Sequence, residues 1–583
     1  MTVVSRTARQ RGVSEDKAGA TIARKVVAPR FTSGDFDKMR GGYYTPIVLA
    51  NWLSAWAIRS RDEHVLEPSC GDGAFIDAAT TRLMELGATR AKVIAQTRAV
   101  ELVPTEAEKA RTRLRGNLGV EGNDVVVTGD FFTWNREAGA DERFDVIVGN
   151  PPFLRYQAFP EPSRTLAMNL LVDDGLKANK LTNIWVPFVV AAASKLTPGG
   201  RMALVLPAEL LQVSYAAQLR SFLIDRFERI QVVACNELFF EKAEQEVVLL
   251  LAEGRRPAGS QTPASIALIE ASTVADVTAR TPSQVLRGAE AKPVADRAEK
   301  WLKYFLSATE IEFMRTLRES AAFTSLKTHA SIDVGVVTGK NEFFVLTAEQ
   351  VETWGLEKHV VPLASRAAHL KGALFDGDEW SRLSEANQRV YLLVIAEDDE
   401  AGLSARVRRY IATGEAQGFD QGYKCSIRKP WYGVPSVWTP DGFFFRQIYD
   451  FPRAVANRTG ATATDTIHRL KAERPDALMG NIYTHLSGAS AEIEGRSYGG
   501  GVLELEPTEA ERLLVPADLG DSLPLEEVDR LVRAGRLADA LDENDRLVLR
   551  PLGLSKADCQ RLKDVWVKMR DRRMGRCKRG VES

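Results

Sequence analysis

The chain has 583 residues, 45% of them apolar and 27% charged, and its 77 Lys and Arg against 78 Asp and Glu leave a formal net charge of −1. Such a length exceeds one hydrophobic core and implies two or three domains of a soluble globular protein. Five scattered cysteines without a C-x-x-C pair exclude a disulfide framework or a zinc site. The near-zero charge neither demands nor forbids a polyanionic partner, because a local patch decides that.

Residues 1–39 contain arginines but no apolar h-region, so they read as a flexible arm rather than a secretory signal. Arg40-Gly41-Gly42-Tyr43-Tyr44-Thr45-Pro46 follows, with Thr45 as a helix cap and Pro46 at the first helical position, and a helix is expected over Ile47–Ala57. A strand, Val65–Glu67, then meets Pro68-Ser69-Cys70-Gly71-Asp72-Gly73 and a helix from about Phe75 to Leu86. A strand ending in Glu-Pro, then Gly-x-Gly, then a helix start lets backbone approach a ligand and presents free N–H groups to it.

The next expected strand, Val93 to Leu102, carries Glu101 near its tip, where an acid can hold both hydroxyls of a ribose. A third strand, Val125–Thr128, ends in Gly129-Asp130-Phe131, an acceptor and a ring suited to a base. The fourth, Phe144–Gly149, runs into Asn150-Pro151-Pro152-Phe153. Neither proline donates an N–H and each biases its predecessor away from helix, so the strand must end in a stiff turn. The turn offers the Asn150 side-chain carbonyl, the Pro151 backbone carbonyl and the Phe153 ring, a set suited to a flat heterocycle with an amino group; these four residues alone are also compatible with an ordinary turn. A helix around Asn183–Leu196, a Pro198-Gly199-Gly200 turn, and strands at Met202–Leu206, Ile230–Cys235 and Val247–Ala252 complete a seven-strand α/β sheet, with an aromatic loop, Asn236–Phe240, before the last strand.

Taken in order, these motifs resemble the S-adenosylmethionine-dependent DNA adenine-N6 methyltransferases of type II restriction–modification systems, in the γ-class arrangement typified by the TaqI enzyme. The resemblance covers about Arg40 to Ala252. It implies a class I methyltransferase fold, a doubly wound and mostly parallel seven-strand sheet, with a C-terminal mixed α/β target-recognition region. It implies S-adenosyl-L-methionine as cofactor, held by Tyr44, Thr45, Glu67, Cys70, Gly71, Gly73, Glu101, Asp130 and Phe131. Asn150, Pro151, Pro152 and Phe153 would be the catalytic turn, and Phe153 and Phe239 would stack on the flipped-out target adenine. Many such enzymes have Tyr where this chain has Phe153, which keeps the ring and loses the hydroxyl.

The boundary of the catalytic domain is expected near Lys300, giving 40–300 for catalysis and 301–583 for DNA recognition. Within the latter, Ile332–Asn341 and Gly499–Leu505 resemble segments of the recognition domains of related enzymes. Lys424, Arg428, Lys429 and Trp431 interleave bases with an aromatic and are candidate DNA contacts, with Arg446, Arg453, Asn457 and Arg458 following. The last stretch, from Arg561, has nine Lys and Arg against three acids and reads either as a frayed tail or as a phosphate contact. The expected partner is double-stranded DNA, with a cognate endonuclease on another chain acting at the same site without binding. No metal and no membrane are expected, and the protein is read as a cytoplasmic prokaryotic monomer. The Asn-Pro-Pro-aromatic turn also suits a guanine amino group in ribosomal RNA or a glutamine amide in protein, and a non-catalytic DNA-binding relic of the fold is a further alternative.

Overall fold

The computed structural model describes residues 44–578 apart from 120–123, 180–181, 236–245, 258, 261–263, 295, 298, 396–401 and 499. The N-terminal arm and Phe239 with its loop lie outside the described residues.

A nine-stranded sheet is built from β1 (Val65–Glu67), β2 (Thr97–Glu101), β3 (Val126–Thr128), β4 (Phe144–Gly149), β5 (Leu196–Pro207), β6 (Phe227–Cys235), β7 (Val247–Arg255), β8 (Ser265–Ala271) and β9 (Lys292–Pro293). Its order is 3-2-1-4-5-7-6-8-9. Strands β3-β2-β1-β4-β5 pair in parallel, β7 inserts antiparallel between β5 and β6, and β8 and β9 extend the edge. The seven-strand arrangement read from the sequence is therefore present and two strands wider. The buried run Ile266-Ala267 in β8 pairs with Ile230-Gln231 and adds the eighth strand.

Three local expectations change. Val93–Gln96 is not strand but the end of a helix (Arg90–Gln96), and β2 begins only at Thr97. Pro198-Gly199-Gly200 does not precede β5 but lies within it: Phe144 pairs with Leu196 and Val146 with Arg201, so the extra residues bulge out of the ladder. Thr45 does not cap the first helix, α1 (Ile47–Ala57). Pro46 is the cap residue, and its carbonyl accepts from Leu49 and Ala50 N–H.

Both sheet faces are covered, as a central parallel sheet requires. In β4, Val146 and Val148 enter one apolar layer with Leu53, Phe75 and Leu114, while Ile147 enters the other with Phe131, Trp185 and Leu223. That second layer does not stop at Lys300. It continues without a break through Trp301, Leu306, Tyr483 and Trp566.

The second half contains a five-stranded sheet in the order Ala330–Val334, Ile467–Ala472, Gly442–Phe445, Ala454–Asn457, Leu374–Phe375, and a four-stranded sheet with its own aromatic core. Residues 561–578 of the basic C-terminal stretch belong to a 23-residue helix, Lys556–Lys578. Arg573 is buried and paired with Glu492 in a bidentate contact, its Nη2 and Nε donating to the two carboxylate oxygens at 2.6 and 3.1 Å. Its neighbours reach other elements: Arg572 pairs with Glu270 of β8, Lys568 with Glu310 and Arg570 with Asp450. The amide of Gln212 also bridges the halves, donating to the Ser497 carbonyl and accepting from its N–H.

Candidate active site

A cleft of about 410 Å³ opens at the carboxyl ends of β1, β2, β3 and β4, where open α/β sheets hold ligands. Each wall comes from a strand that ends abruptly. After β1, Glu67 and Pro68 turn the chain through Ser69–Gly73 into a helix (α2, Ala74–Glu85). Gly73 has φ +88°, and a Cβ there would lie 2.8 Å from Ala110, so this glycine is needed for helix packing and not for the cleft, whose lining it does not join. Gly71 does line it. Its N–H donates to Glu101 Oε2 at 2.8 Å, while Val103 N–H donates to Oε1 at 2.8 Å. Glu101 thus fastens the Gly-x-Gly turn to the tip of β2, and each of its oxygens keeps a lone pair for a further donor.

Glu67 is fully buried beside it, and its Oε2 has no hydrogen-bond partner. Burial raises its carboxyl well above the ordinary 4.5, with the charges of Asp72 and Glu101 adding to the effect. Glu101 is raised too, again chiefly by burial. Cys70 lines the same wall, and burial beside those carboxylates pushes its thiol well up, so it is no thiolate nucleophile. A buried acidic oxygen without a donor suits a cationic or hydroxyl-bearing ligand. In the ligand-free protein it destabilises the fold once ionised. The folded-state pKa exceeds the unfolded one, so stability falls as pH rises from the ordinary carboxylate value through the raised one. Glu67→Gln should therefore have the higher thermal midpoint near pH 8, with the gap closing toward pH 5; a gap independent of pH would contradict this.

Asp130 and Phe131 form the third wall. Asp130 caps its helix, its Oδ1 accepting from Thr133 N–H and hydroxyl. Phe131 is buried and stacks on Phe188 with ring centroids 5.3 Å apart. Phe188 also lines the cleft, as do Leu102, Glu106, Leu154 and Phe159. None of these five carries a sequence signal of its own: Phe188 sits in a helix apolar on every side, Glu106 in the first turn of a largely charged helix, and the others in connections without periodicity. At the rim, Tyr44 donates to Glu106 Oε2 at 3.0 Å and lies under the Lys109 ammonium.

The fourth wall is the turn after β4. Asn150 lines the cleft, and its Nδ2 donates to Thr45 Oγ1 at 3.3 Å, which turns Oδ1 away from Thr45. Its backbone carbonyl accepts from Ser69 Oγ at 3.4 Å. Thr45, expected as a cap, thus spends its hydroxyl on the Asn150 amide. Pro152 also lines the cleft, but Pro151 and Phe153 do not. Phe153 is half-buried and packs against the apolar layers of both sheet faces.

The candidate DNA contacts separate. Lys424 and Lys429 are exposed. Arg428 donates to the carbonyls of Val337 and Thr338, and Trp431 packs on Phe343 while donating to Glu415. Arg446 pairs with Glu504 and Glu506, Arg453 donates to the carbonyls of Leu370 and Gly372, Asn457 to those of Pro440 and Ala461, and Arg458 pairs with Asp476. Except for Lys424 and Lys429, each of these side chains has a partner within the chain.

A 3-2-1-4-5-7-6 sheet with one antiparallel strand, and a cleft bounded by an acid after β1, an acid at the tip of β2 and an Asn-Pro-Pro turn after β4, define a class I methyltransferase. The chain belongs to the N-6 DNA Methylase family, which matches residues 30–326, and residues 298–549 match the C-terminal domain of type II methyltransferase M.Eco57I. Among its relatives are the type II methyltransferases M.AccI of Acinetobacter calcoaceticus, 21% identical over 82% of this chain and 85% of that protein, and M.XamI of Xanthomonas campestris pv. amaranthicola, 23% identical with the same coverage. The DNA-bound type IIL restriction–modification enzyme MmeI shares the fold, with a TM-score of 0.50 and 11% identity over 90% of this chain and 75% of that one.

Proposed function

We infer that this N-6 DNA methylase is the site-specific modification enzyme of a type II restriction–modification system, methylating the exocyclic amino group of an adenine flipped out of duplex DNA. The observation that carries the reading is the Asn150 amide, held by Thr45 at a cleft that also contains the two acid positions. The second matched segment favours DNA over an RNA or protein amide, because it corresponds to a domain of a DNA enzyme and not to the cofactor fold. The motif order, Thr45 first and the Asn-Pro-Pro turn fifth, supports the γ-class arrangement. Residues 40–300 are assigned to catalysis and 301–583 to target recognition. Among the described residues no helix is long and apolar enough to cross a membrane; we place the protein in the prokaryotic cytoplasm.

The cleft's donor set fits S-adenosylmethionine, which supplies an activated methyl on a sulfonium. Glu67 has a free buried oxygen for a cationic or hydroxyl group, Glu101 has lone pairs for ribose hydroxyls, and the Phe131 and Phe188 rings with Asp130 suit an adenine. The work left to the protein is orientation. Asn150 Oδ1 accepts a hydrogen bond from the target amine and favours a pyramidal nitrogen whose lone pair is withdrawn from conjugation with the ring. Being neutral, the amide keeps that role at any pH, and it stabilises the positive charge that grows on nitrogen. Phe153 presents the accessible part of its ring to the base, its other contacts fixing it against the sheet. Unstacking the base costs a few kcal/mol, which ring contacts offset in part.

Single-molecule sequencing of DNA from cells expressing the protein should show N6-methyladenine at one sequence context; unmodified DNA would refute the reading. Thr45→Val should lower kcat about 2–10-fold by releasing the Asn150 amide, and Thr45→Ser should restore it. Single-turnover kinetics checks this, and a defect confined to cofactor affinity would contradict the orienting role.

A further inference from the structure

The two most exposed large apolar side chains among the described residues are Tyr423, 75% accessible, and Ile427, 65%. They flank one short helical turn, Tyr423–Ser426 with Ile427 still in helical conformation at its end, and four residues apart they share a face. The turn is held firmly. Cys425 is buried beneath it, and Arg428 ties its end to the Val337 and Thr338 carbonyls at 2.6 and 2.8 Å. Gly339, at φ +85°, lies so close that a Cβ would come within 2.9 Å of Lys424 Cβ. An aromatic core adjoins this segment, with Phe343, Trp431 and Tyr432 in it, yet Tyr423 and Ile427 stay outside.

Charge indicates what covers them. Between Asp420 and Asp441 the segment contains Lys424, Arg428 and Lys429 and no acid, in a chain whose overall balance is −1. Lys424 Nζ lies 5.8 Å from the Tyr423 ring centroid, Lys429 is exposed, and Lys340 Nζ lies 5.4 Å from the Phe419 ring centroid. Exposed aromatic and aliphatic groups beside exposed lysines match the apolar wedges, flanked by phosphate-binding lysines, by which proteins lean on base steps. A protein-facing patch would instead be depleted of lysine.

We propose that Tyr423 and Ile427 form a wedge that enters a groove of the substrate duplex while Lys424 and Lys429 hold the flanking phosphates. This rests on the reading of the chain as a DNA methyltransferase and adds the surface by which the recognition half grips the duplex. The test uses the full-length protein and a duplex carrying the methylation site mapped by sequencing, with affinity measured over a salt series. Y423A/I427A should weaken binding tenfold or more with the salt slope unchanged. K424A/K429A should reduce the slope by about 1.8, two phosphate contacts' worth. Both should retain the wild-type rise in melting temperature on adding S-adenosylmethionine, and the single variant Y423A provides the same readout should the double one fold poorly. Wild-type binding with variants within twofold of it would overturn the wedge while leaving the methyltransferase reading intact. Light scattering that showed a wild-type dimer dissolved by Y423A/I427A at unchanged DNA affinity would overturn it as well. Failure of the wild type to bind duplex would overturn both.

Discussion

Asn150→Ala is expected to lower the rate of methyl transfer about 10²–10³-fold, the effect of removing one preorganised hydrogen-bonding group from a reacting centre. Cofactor affinity should stay close to wild type, because the residues proposed to hold it lie on other walls: Glu67 after β1, Glu101 at the tip of β2, Asp130 and Phe131 after β3. Asn150→Asp is informative beside it. It keeps an acceptor oxygen but loses the donor to Thr45 Oγ1, and in a cleft that already raises two carboxyls it would resist ionisation. Single-turnover transfer and calorimetric cofactor titration separate the two quantities. Near-normal transfer in Asn150→Ala would remove the residue from the mechanism, and a parallel loss of cofactor affinity would reassign it to cofactor binding.

Arg573→Ala is expected to destabilise the protein by about 3–5 kcal/mol, because it strands the buried carboxylate of Glu492. The guanidinium also donates to the Tyr449 and Gly501 carbonyls, which lose a donor at the same time. Arg573→Met with Glu492→Leu should recover much of the loss, since a well-packed apolar pair avoids burying any charge. Urea denaturation of the four proteins of this cycle measures the coupling. Additive losses would mean that the pair acts independently and that the helix is held mainly by Trp566 and its neighbours.

What could be read in advance depended on how local the signal was. The Glu-Pro…Gly-x-Gly, Gly-Asp-Phe and Asn-Pro-Pro turns are short-range devices, and their residues converge on one cleft because each lies at the end of a parallel strand. Thr45 was harder: its position suggested a cap, and only the tertiary approach of Asn150, 105 residues later, gives the hydroxyl its partner. Phe188 carried no signal because every face of its helix is apolar. In the second half, positive charge alone was a poor guide. Arg428, Arg453 and Arg573 look like their solvated neighbours in sequence, yet they donate to backbone carbonyls or a buried carboxylate. The exposed pair Tyr423 and Ile427 was passed over for the opposite reason, since apolar residues are ordinarily assigned to a core.

The continuity of one apolar layer from Phe131 to Trp566 limits how such an enzyme can acquire a new specificity. A chimera that grafts a foreign segment in place of 301–583 would take Trp301, Tyr483 and Trp566 out of that layer and leave Gln212 and Glu270 without their counterparts. The four-stranded sheet is no cleaner a unit to exchange, because the Leu374–Phe375 strand, which lies between two of its strands in sequence, belongs to the five-stranded sheet and its core.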